Sequence, residues 1–135
     1  INGKNNMTTF NSPEVDVNLS AEALFNKLSN LNNLQSILPP QISEFESTTE
    51  SCSFKMGGMP KISLQIDEKI PNSKISLTAK DSQVPFNLVC NISEQGENSK
   101  ATLQLNAELN MMMKMMLEKP LTNFLNKAVE GLGKL

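Results

Sequence analysis

The sequence predicts an α+β protein in which a curved antiparallel sheet wraps around one long C-terminal helix. Residues 110–135 carry apolar side chains at the three- and four-residue spacing that lines one face of a helix. Residues 41–109 read as strands separated by turns at regular intervals. A helix of about 23 residues is about 34 Å long, close to the length expected for the last strand, residues 101–109 with its flanks. One helix can therefore lie along one sheet.

A register test indicates that the predicted strands share one apolar inner face. It uses turns at Pro71-Asn72, Ser82-Gln83 and residues 95–98, with two earlier turns at residues 48–51 and 57–61. A one-residue slip would send every side chain to the opposite face, so agreement over successive hairpins favours this register. The predicted pairs are Phe45 with Phe54, Phe54 with Leu64, Lys69 with Lys74, Ile66 with Leu77, Leu77 with Leu88, Leu88 with Leu105, and Phe86 with Ala107. An antiparallel meander of six strands with one polar face needs an apolar cover on the other.

Before the meander, the chain predicts an edge strand and two short helices. Residues 7–19 alternate in polarity, and Pro13 interrupts them, which favours an edge strand with a bulge. Ser20 can accept a hydrogen bond from the amide of Ala23, so a helix is expected to begin there. A second helical turn is predicted at residues 34–38. These two helices are too short to stand alone, so they should close one end of the sheet.

Composition limits the possible functions. The 135 residues fit one domain, residues 1–135, with residues 1–6 expected to be disordered or left over from expression. Net charge is −2 and there is no Arg, so a nucleic-acid partner is not expected. Since the chain has no His, it cannot form a Ser-His-Asp or Cys-His catalytic arrangement, and two separated cysteines cannot make a zinc site. We therefore predict no catalytic residue, metal or cofactor.

The two cysteines, Cys52 and Cys90, fall on different predicted strands. We interpret them as small buried hydrophobic residues in a reducing compartment, with a disulfide as the alternative. No apolar run approaches the roughly 18 residues of a transmembrane helix, and the polar start lacks the apolar core of a signal peptide. A cytoplasmic protein without stable membrane insertion is expected.

The order of elements resembles the helix-grip domain of the START and Bet v 1-like (SRPBCC) superfamily. The resemblance covers residues 7–133. Within the superfamily, the chain particularly resembles small bacterial members described as polyketide cyclase/dehydrase-like or coenzyme-Q-binding-like. It rests on Leu19-Ser20-Ala21-Glu22-Ala23-Leu24-Phe25, the Gly57-Gly58 turn, and a last strand that runs straight into a long helix. The resemblance implies an apolar cavity between the sheet and the helix that binds lipids, sterols, quinones or polyketides. It implies no single activity.

Side chains on the inner face and on the helix are the candidate cavity lining. Pro120 has no amide for the carbonyl of Met116, so we expect a kink or a restart of the helix there. Residues 117–132 would then hold the sheet, and the methionine-rich residues 111–116 would form an adaptable cavity wall, ordinary core packing being the alternative. The predicted lining is Phe54, Met56, Leu64, Ile66, Leu77, Phe86, Leu88, Leu103, Leu105, Met112, Met113, Met116, Leu117 and Leu121.

Two carboxylates, Glu68 and Asp81, share the parity of the inner face. They either reach water at the rim of the cavity or turn inward, where burial would raise the pKa and let them hydrogen-bond a ligand.

Three functions are compatible with the sequence: a carrier or sensor of a small apolar molecule, a cyclase or dehydratase acting in the same cavity, and an interaction module with a filled interior. An inward, protonatable carboxylate favours the enzyme, whereas an interior lined by apolar residues favours the binding protein. The sequence identifies no protein partner.

Overall fold

The computed structural model describes residues 6–57, 61–82 and 84–135. Within these ranges the strands form one eight-stranded antiparallel sheet in the order β1-β8-β7-β6-β5-β4-β3, and β2 also pairs with β8. The predicted α+β architecture, a six-stranded meander with an N-terminal edge and a long C-terminal helix, is confirmed. The elements are β1 (Asn6–Asn11), β2 (Val15–Val17), α1 (Ala21–Leu28), a 3₁₀ helix (Leu31–Ser36), β3 (Ile42–Ser47), β4 (Ser51–Met56), β5 (Ile62–Ile70), β6 (Lys74–Ala79), β7 (Phe86–Gln95), β8 (Asn98–Leu109) and α2 (Met111–Gly133).

The interrupted N-terminal edge is as predicted. Both β1 and β2 pair with β8, and their registers differ by one residue across Pro13, from Phe10 opposite Leu105 to Val15 opposite Ala101. The Ser12 amide donates to the Leu103 carbonyl at 2.8 Å, and the Leu103 amide donates to the Ser12 hydroxyl at 2.8 Å. A side-chain hydroxyl thus continues the ladder where proline interrupts the alternation.

The central register is confirmed where the strands are regular. Ile66 pairs with Leu77, Leu77 with Leu88, Leu88 with Leu105, and Phe86 with Ala107. Phe45 and Phe54 also come together, with ring centroids 6.4 Å apart.

Two predicted pairs are wrong. Phe54 pairs with Ile62 instead of Leu64, a shift of two residues that leaves the same side chains facing inward. Lys69 pairs with Ile75 instead of Lys74, because a bulge between Ile66 and Glu68 adds one residue to β5. Beyond this bulge the alternation of β5 is reversed relative to β6.

Hydrogen-bonding caps set the limits of the two short helices. The Ser20 hydroxyl accepts from the Ala23 amide at 3.1 Å, as predicted, and starts α1. The Asn30 side chain then accepts from the Asn32 amide at 3.0 Å, so the 3₁₀ helix begins at Leu31, earlier than the predicted turn at residues 34–38. Since α1 contacts β6, β7 and β8, it covers one end of the sheet.

The long helix α2 has two dissimilar halves. The Asn110 side chain caps it by accepting from the Met113 amide at 2.8 Å, and the helix continues through Pro120 without the predicted restart. The helix contacts β1, β2 and β8, and from Phe124 onward it carries a buried stripe. Before Phe124, the half-buried residues of the helix are Met113, Leu117, Leu121 and Thr122. The buried stripe consists of Phe124, Leu125, Ala128, Val129 and Leu132.

A close approach near the end of α2 generates a stability prediction. A Cβ atom on Gly131 would overlap the carbonyl oxygen of Ile37, which is backbone and cannot rotate away. Gly131→Ala should therefore destabilise the protein by about 1–3 kcal/mol, although alanine normally favours a helix over glycine by about 1 kcal/mol. Urea unfolding measures the difference.

Gly133→Ala is the matched control for this helix end. Its Cβ would meet the Val15 side chain at 2.7 Å, and a side chain can change rotamer, so a smaller loss is expected. Equal or greater stability of Gly131→Ala relative to wild type would contradict the close approach of α2 to Ile37.

The buried cysteines generate a second prediction. Cys52 and Cys90 are free thiols, so the disulfide alternative does not hold. Burial raises the pKa of the Cys52 thiol from 9.0 to about 11 and that of Cys90 to about 12. Both thiols should resist a disulfide reagent at about pH 8 in the native protein and react after unfolding, because the thiolate is the reactive form. Rapid reaction of the native protein would contradict their burial.

The same shifts predict weaker folding in alkali. Unfolded thiols ionise near pH 9.0, whereas the folded thiols hold their protons until about pH 11 to 12. The free energy of unfolding should be unaffected by these groups below pH 9.0 and should fall above it. Urea unfolding across this range, compared with a Cys52→Ala/Cys90→Ala variant, isolates the contribution. An identical alkaline slope in both proteins would contradict it.

Candidate ligand-binding pocket

A pocket of about 280 Å³ lies between the inner face of the sheet and α2, and it opens to solvent. The sheet contributes residues from β4, β5, β7 and β8, the loop after β6 adds Ser82 and Val84, and α2 adds one stripe of side chains. The lining consists of Phe54, Met56, Lys61, Ile62, Ser63, Leu64, Ser82, Val84, Phe86, Leu88, Leu105, Ala107, Leu109, Leu117, Leu121 and Phe124.

The two halves of α2 explain why this space exists. The helix packs along β1, β2 and β8, at one edge of the sheet. Before Phe124, the apolar residues of α2 that are half-buried are Met113, Leu117 and Leu121. Across from this stripe lies Ala107, whose methyl group fills little of the space beside Phe86.

A second, smaller cavity adjoins the larger pocket. It has a volume of about 60 Å³ and is bordered by the 3₁₀ helix, α1, the strands β6–β8 and the buried half of α2. Phe124 and Leu88 line both cavities and therefore form part of the wall between them. The Phe124 ring stacks on Phe54, with centroids 6.4 Å apart, so this wall also connects α2 to β4.

Eight of the fourteen residues predicted to line a cavity line the larger pocket: Phe54, Met56, Leu64, Phe86, Leu88, Leu105, Leu117 and Leu121. Leu77 and Leu103 line the smaller cavity instead, because they lie further along their strands toward α1. Ile66 is half-buried against the core and lies outside the lining of both cavities. That these side chains contact a ligand stays a prediction.

The predicted methionine wall is not formed. Met112 and Met116 are 70% and 68% exposed, and Met111 and Met115 are exposed with them. Met113 is half-buried against the core but does not reach the pocket lining. The reason is helical geometry: the exposed methionines lie on the side of α2 opposite the stripe of Met113, Leu117 and Leu121, and one stripe faces the sheet.

Sequence reasoning missed eight lining residues of two kinds. Ile62, Ala107, Leu109 and Phe124 were detectable, since they have the parity or spacing of the predicted inner face. Lys61, Ser63, Ser82 and Val84 were not, because they enter the lining where β5 begins and in the loop after β6. The adjoining turns include Gly58 and Gln83, which lie outside the described residues.

The two predicted polar groups do not line the pocket. Glu68 follows the bulge in β5 and pairs with Ser76. Ser76 lies between Ile75 and Leu77, whose side chains face inward, so Glu68 lies on the outer face of the sheet. Its carboxylate oxygen is 3.0 Å from the Lys74 ammonium nitrogen. The inward parity assigned to Glu68 was therefore wrong, since the sequence does not reveal the extra residue.

Asp81 lies beyond the end of β6, at a left-handed backbone angle, φ 57°. It borders a polar cleft of about 280 Å³ that also contains Lys80, Thr48 and Ser53. The strand ends before its alternation reaches Asp81, so parity does not determine the direction of this side chain.

Neither metal binding nor membrane insertion gains support from the described ranges 6–57, 61–82 and 84–135. They contain no group of three or more His, Cys, Asp or Glu side chains placed to hold a metal ion. None of their helices combines the length and apolar character needed to span a bilayer.

No protein-family model matches the chain, and no curated protein matches its sequence. Solved structures are similar in fold. Norcoclaurine synthase from Thalictrum flavum, in a complex with dopamine and hydroxybenzaldehyde, aligns with a TM-score of 0.74 at 12% identity, over 97% of this chain and 87% of that one. A START superfamily protein from Mycobacterium smegmatis aligns with a TM-score of 0.65 at 16% identity, over 95% and 97%.

A protein from Thermus thermophilus has a TM-score of 0.71 at 12% identity, over 94% of this chain and 95% of that one. Identities this low establish a common fold and carry no activity from one protein to another. The chain has the START and Bet v 1-like helix-grip fold that its order of elements resembles.

Proposed function

We propose that this protein binds a small hydrophobic molecule in the larger pocket, as a carrier or sensor. The observation that carries the proposal is an open pocket of about 280 Å³ whose lining is thirteen apolar residues out of sixteen. Ligand pockets in proteins have volumes of about 300–1,000 Å³ and mostly apolar walls, so this one suits a single small ligand. Lipid, quinone and polyketide-like compounds are the candidate classes.

The expected affinity is modest. Covering about 300 Å² of apolar ligand surface contributes about 7 kcal/mol before the costs of association. A binding protein that exchanges its ligand needs no more than this.

The two alternative functions have less support. An inward, protonatable Glu68 or Asp81 would favour an enzyme. Both side chains lie outside the pocket, so this condition is not met. A filled interior would favour an interaction module, but the pocket is open. The free, buried Cys52 and Cys90 suit the reducing conditions of the cytoplasm, where we expect this single domain to act.

Filling the pocket tests the proposal. Ala107 lines it from near the end of β8 and is buried, so Ala107→Phe places a ring in the ligand space. We expect freshly purified wild-type protein to show a stoichiometric apolar adduct in native mass spectrometry, removable by solvent extraction. Ala107→Phe should lose the adduct and should bind an apolar fluorescent probe at least about tenfold more weakly, a loss of about 1.4 kcal/mol.

Thr102→Phe is the matched control, because Thr102 lies on the same strand opposite Asn91 with the outward parity. It adds the same ring outside the pocket and should retain the adduct and probe binding. Thermal unfolding checks that both variants are folded. Absence of any adduct and of probe binding in wild type, or equal binding by folded Ala107→Phe, would overturn the proposal.

A further inference from the structure

The polar part of the pocket lining is concentrated at one end. Leu64 pairs with Ala79, and the Lys80 amide donates to the Ser63 carbonyl at 2.8 Å, so the chain after β6 continues along the start of β5. Extending this register places Ser82 across from Lys61. The three polar lining residues, Lys61, Ser63 and Ser82, therefore lie together, where β5 begins and the loop after β6 passes it.

Among the sixteen lining residues that the structure describes, Lys61 alone is charged. Every Asp and Glu of the chain lies within the described residues. The five ion pairs found there use other lysines, namely Lys55, Lys74, Lys100 and Lys127. Lys61 thus places a positive charge beside an apolar pocket, although the chain has a net charge of −2.

The other polar groups nearby already have partners or face elsewhere. The Ser82 hydroxyl donates to the Val84 carbonyl at 2.8 Å and accepts from the Val84 amide at 3.1 Å. Lys80 and Asp81 border the neighbouring polar cleft, on the other side of Ser63 and Leu64. Lys61 is therefore the group available to a charged ligand in this pocket.

We infer that the ligand is a single-chain amphiphile with one anionic head group, held with its chain in the pocket and its head at Lys61. The inference rests on the function proposed above and assigns a ligand class to the same pocket. The apolar wall from Leu64 to Leu105 takes the chain, and the exposed ammonium group of Lys61 pairs with the head without moving it into the dry interior. A lysine is a flexible point charge, so its ammonium group can pair with either a carboxylate or a phosphate head group.

Matched ligands and lysine variants test this assignment. Isothermal titration separates the head group from a common chain, with decanoate and decyl phosphate below their critical micelle concentrations and decanol below its solubility limit. Wild type should bind the two anions about fivefold more tightly than decanol, the upper value for a solvent-exposed ion pair. The preference should shrink as salt is added, because salt screens exposed charges.

Lys61→Gln should remove this preference while leaving decanol affinity unchanged, and Lys61→Arg should retain it. Lys80→Gln is the control for a general charge effect, since Lys80 borders the polar cleft and not the pocket, and it should behave as wild type. Lys61 is exposed, so its variants should unfold at the wild-type temperature.

The outcomes separate this inference from the proposed function. Equal binding of anions and decanol by wild type, or a preference that survives Lys61→Gln, would overturn the anionic ligand class and leave the apolar pocket in place. No binding of any of the three, in protein extracted free of endogenous ligand, would overturn both. Preference for the phosphate alone would restrict the head group to phosphate monoesters and would support Lys61 as its partner.

Discussion

The stacking of Phe54 on Phe124 connects the sheet to the helix, and much of the structure depends on it. Phe54 lies on β4, is almost completely buried, and also stacks on Phe45 of β3. Because Phe124 belongs to α2, this row of three rings joins the far edge of the sheet to a helix that is otherwise anchored on β1, β2 and β8. Aromatic pairs of this kind contribute about 0.5–1.5 kcal/mol beyond the area they bury. The row bridges the space that the curved sheet encloses, and Phe124 divides that space into two cavities.

The unequal burial of α2 follows from the same arrangement. From Phe124 onward, the helix has a buried stripe, and Gly131 lets it pass directly against the backbone of Ile37. Before Phe124, the helix runs beside the open pocket, and four methionines on its outer side remain exposed. Under the function proposed above, a bound ligand would cover the apolar wall beside this part of the helix.

Much of the fold was predictable, because it depends on local patterns. Alternation over β6, β7 and β8 predicted the pairs Leu77–Leu88 and Leu88–Leu105, and Ser20 predicted the start of α1. Errors arose where one residue interrupts the pattern. The bulge in β5 moved Glu68 to the outer face, and no residue type in that strand indicates that a bulge is present. At Pro120 a kink or a restart of α2 was expected; the restart does not occur, because an exposed helix tolerates the missing amide where solvent can hydrate the free carbonyl.

The sequence by itself determined the class of the fold, the inner face of the sheet and the apolar nature of the interior, since these follow from residue periodicity. The tertiary structure decided which inner residues line the larger pocket and which line the smaller cavity, because that depends on how α2 packs along the strands. It placed the methionines outside, since a helix that faces a sheet with one stripe exposes the rest. It also brought Lys61 beside Ser82, two residues of separate turns that no local pattern relates.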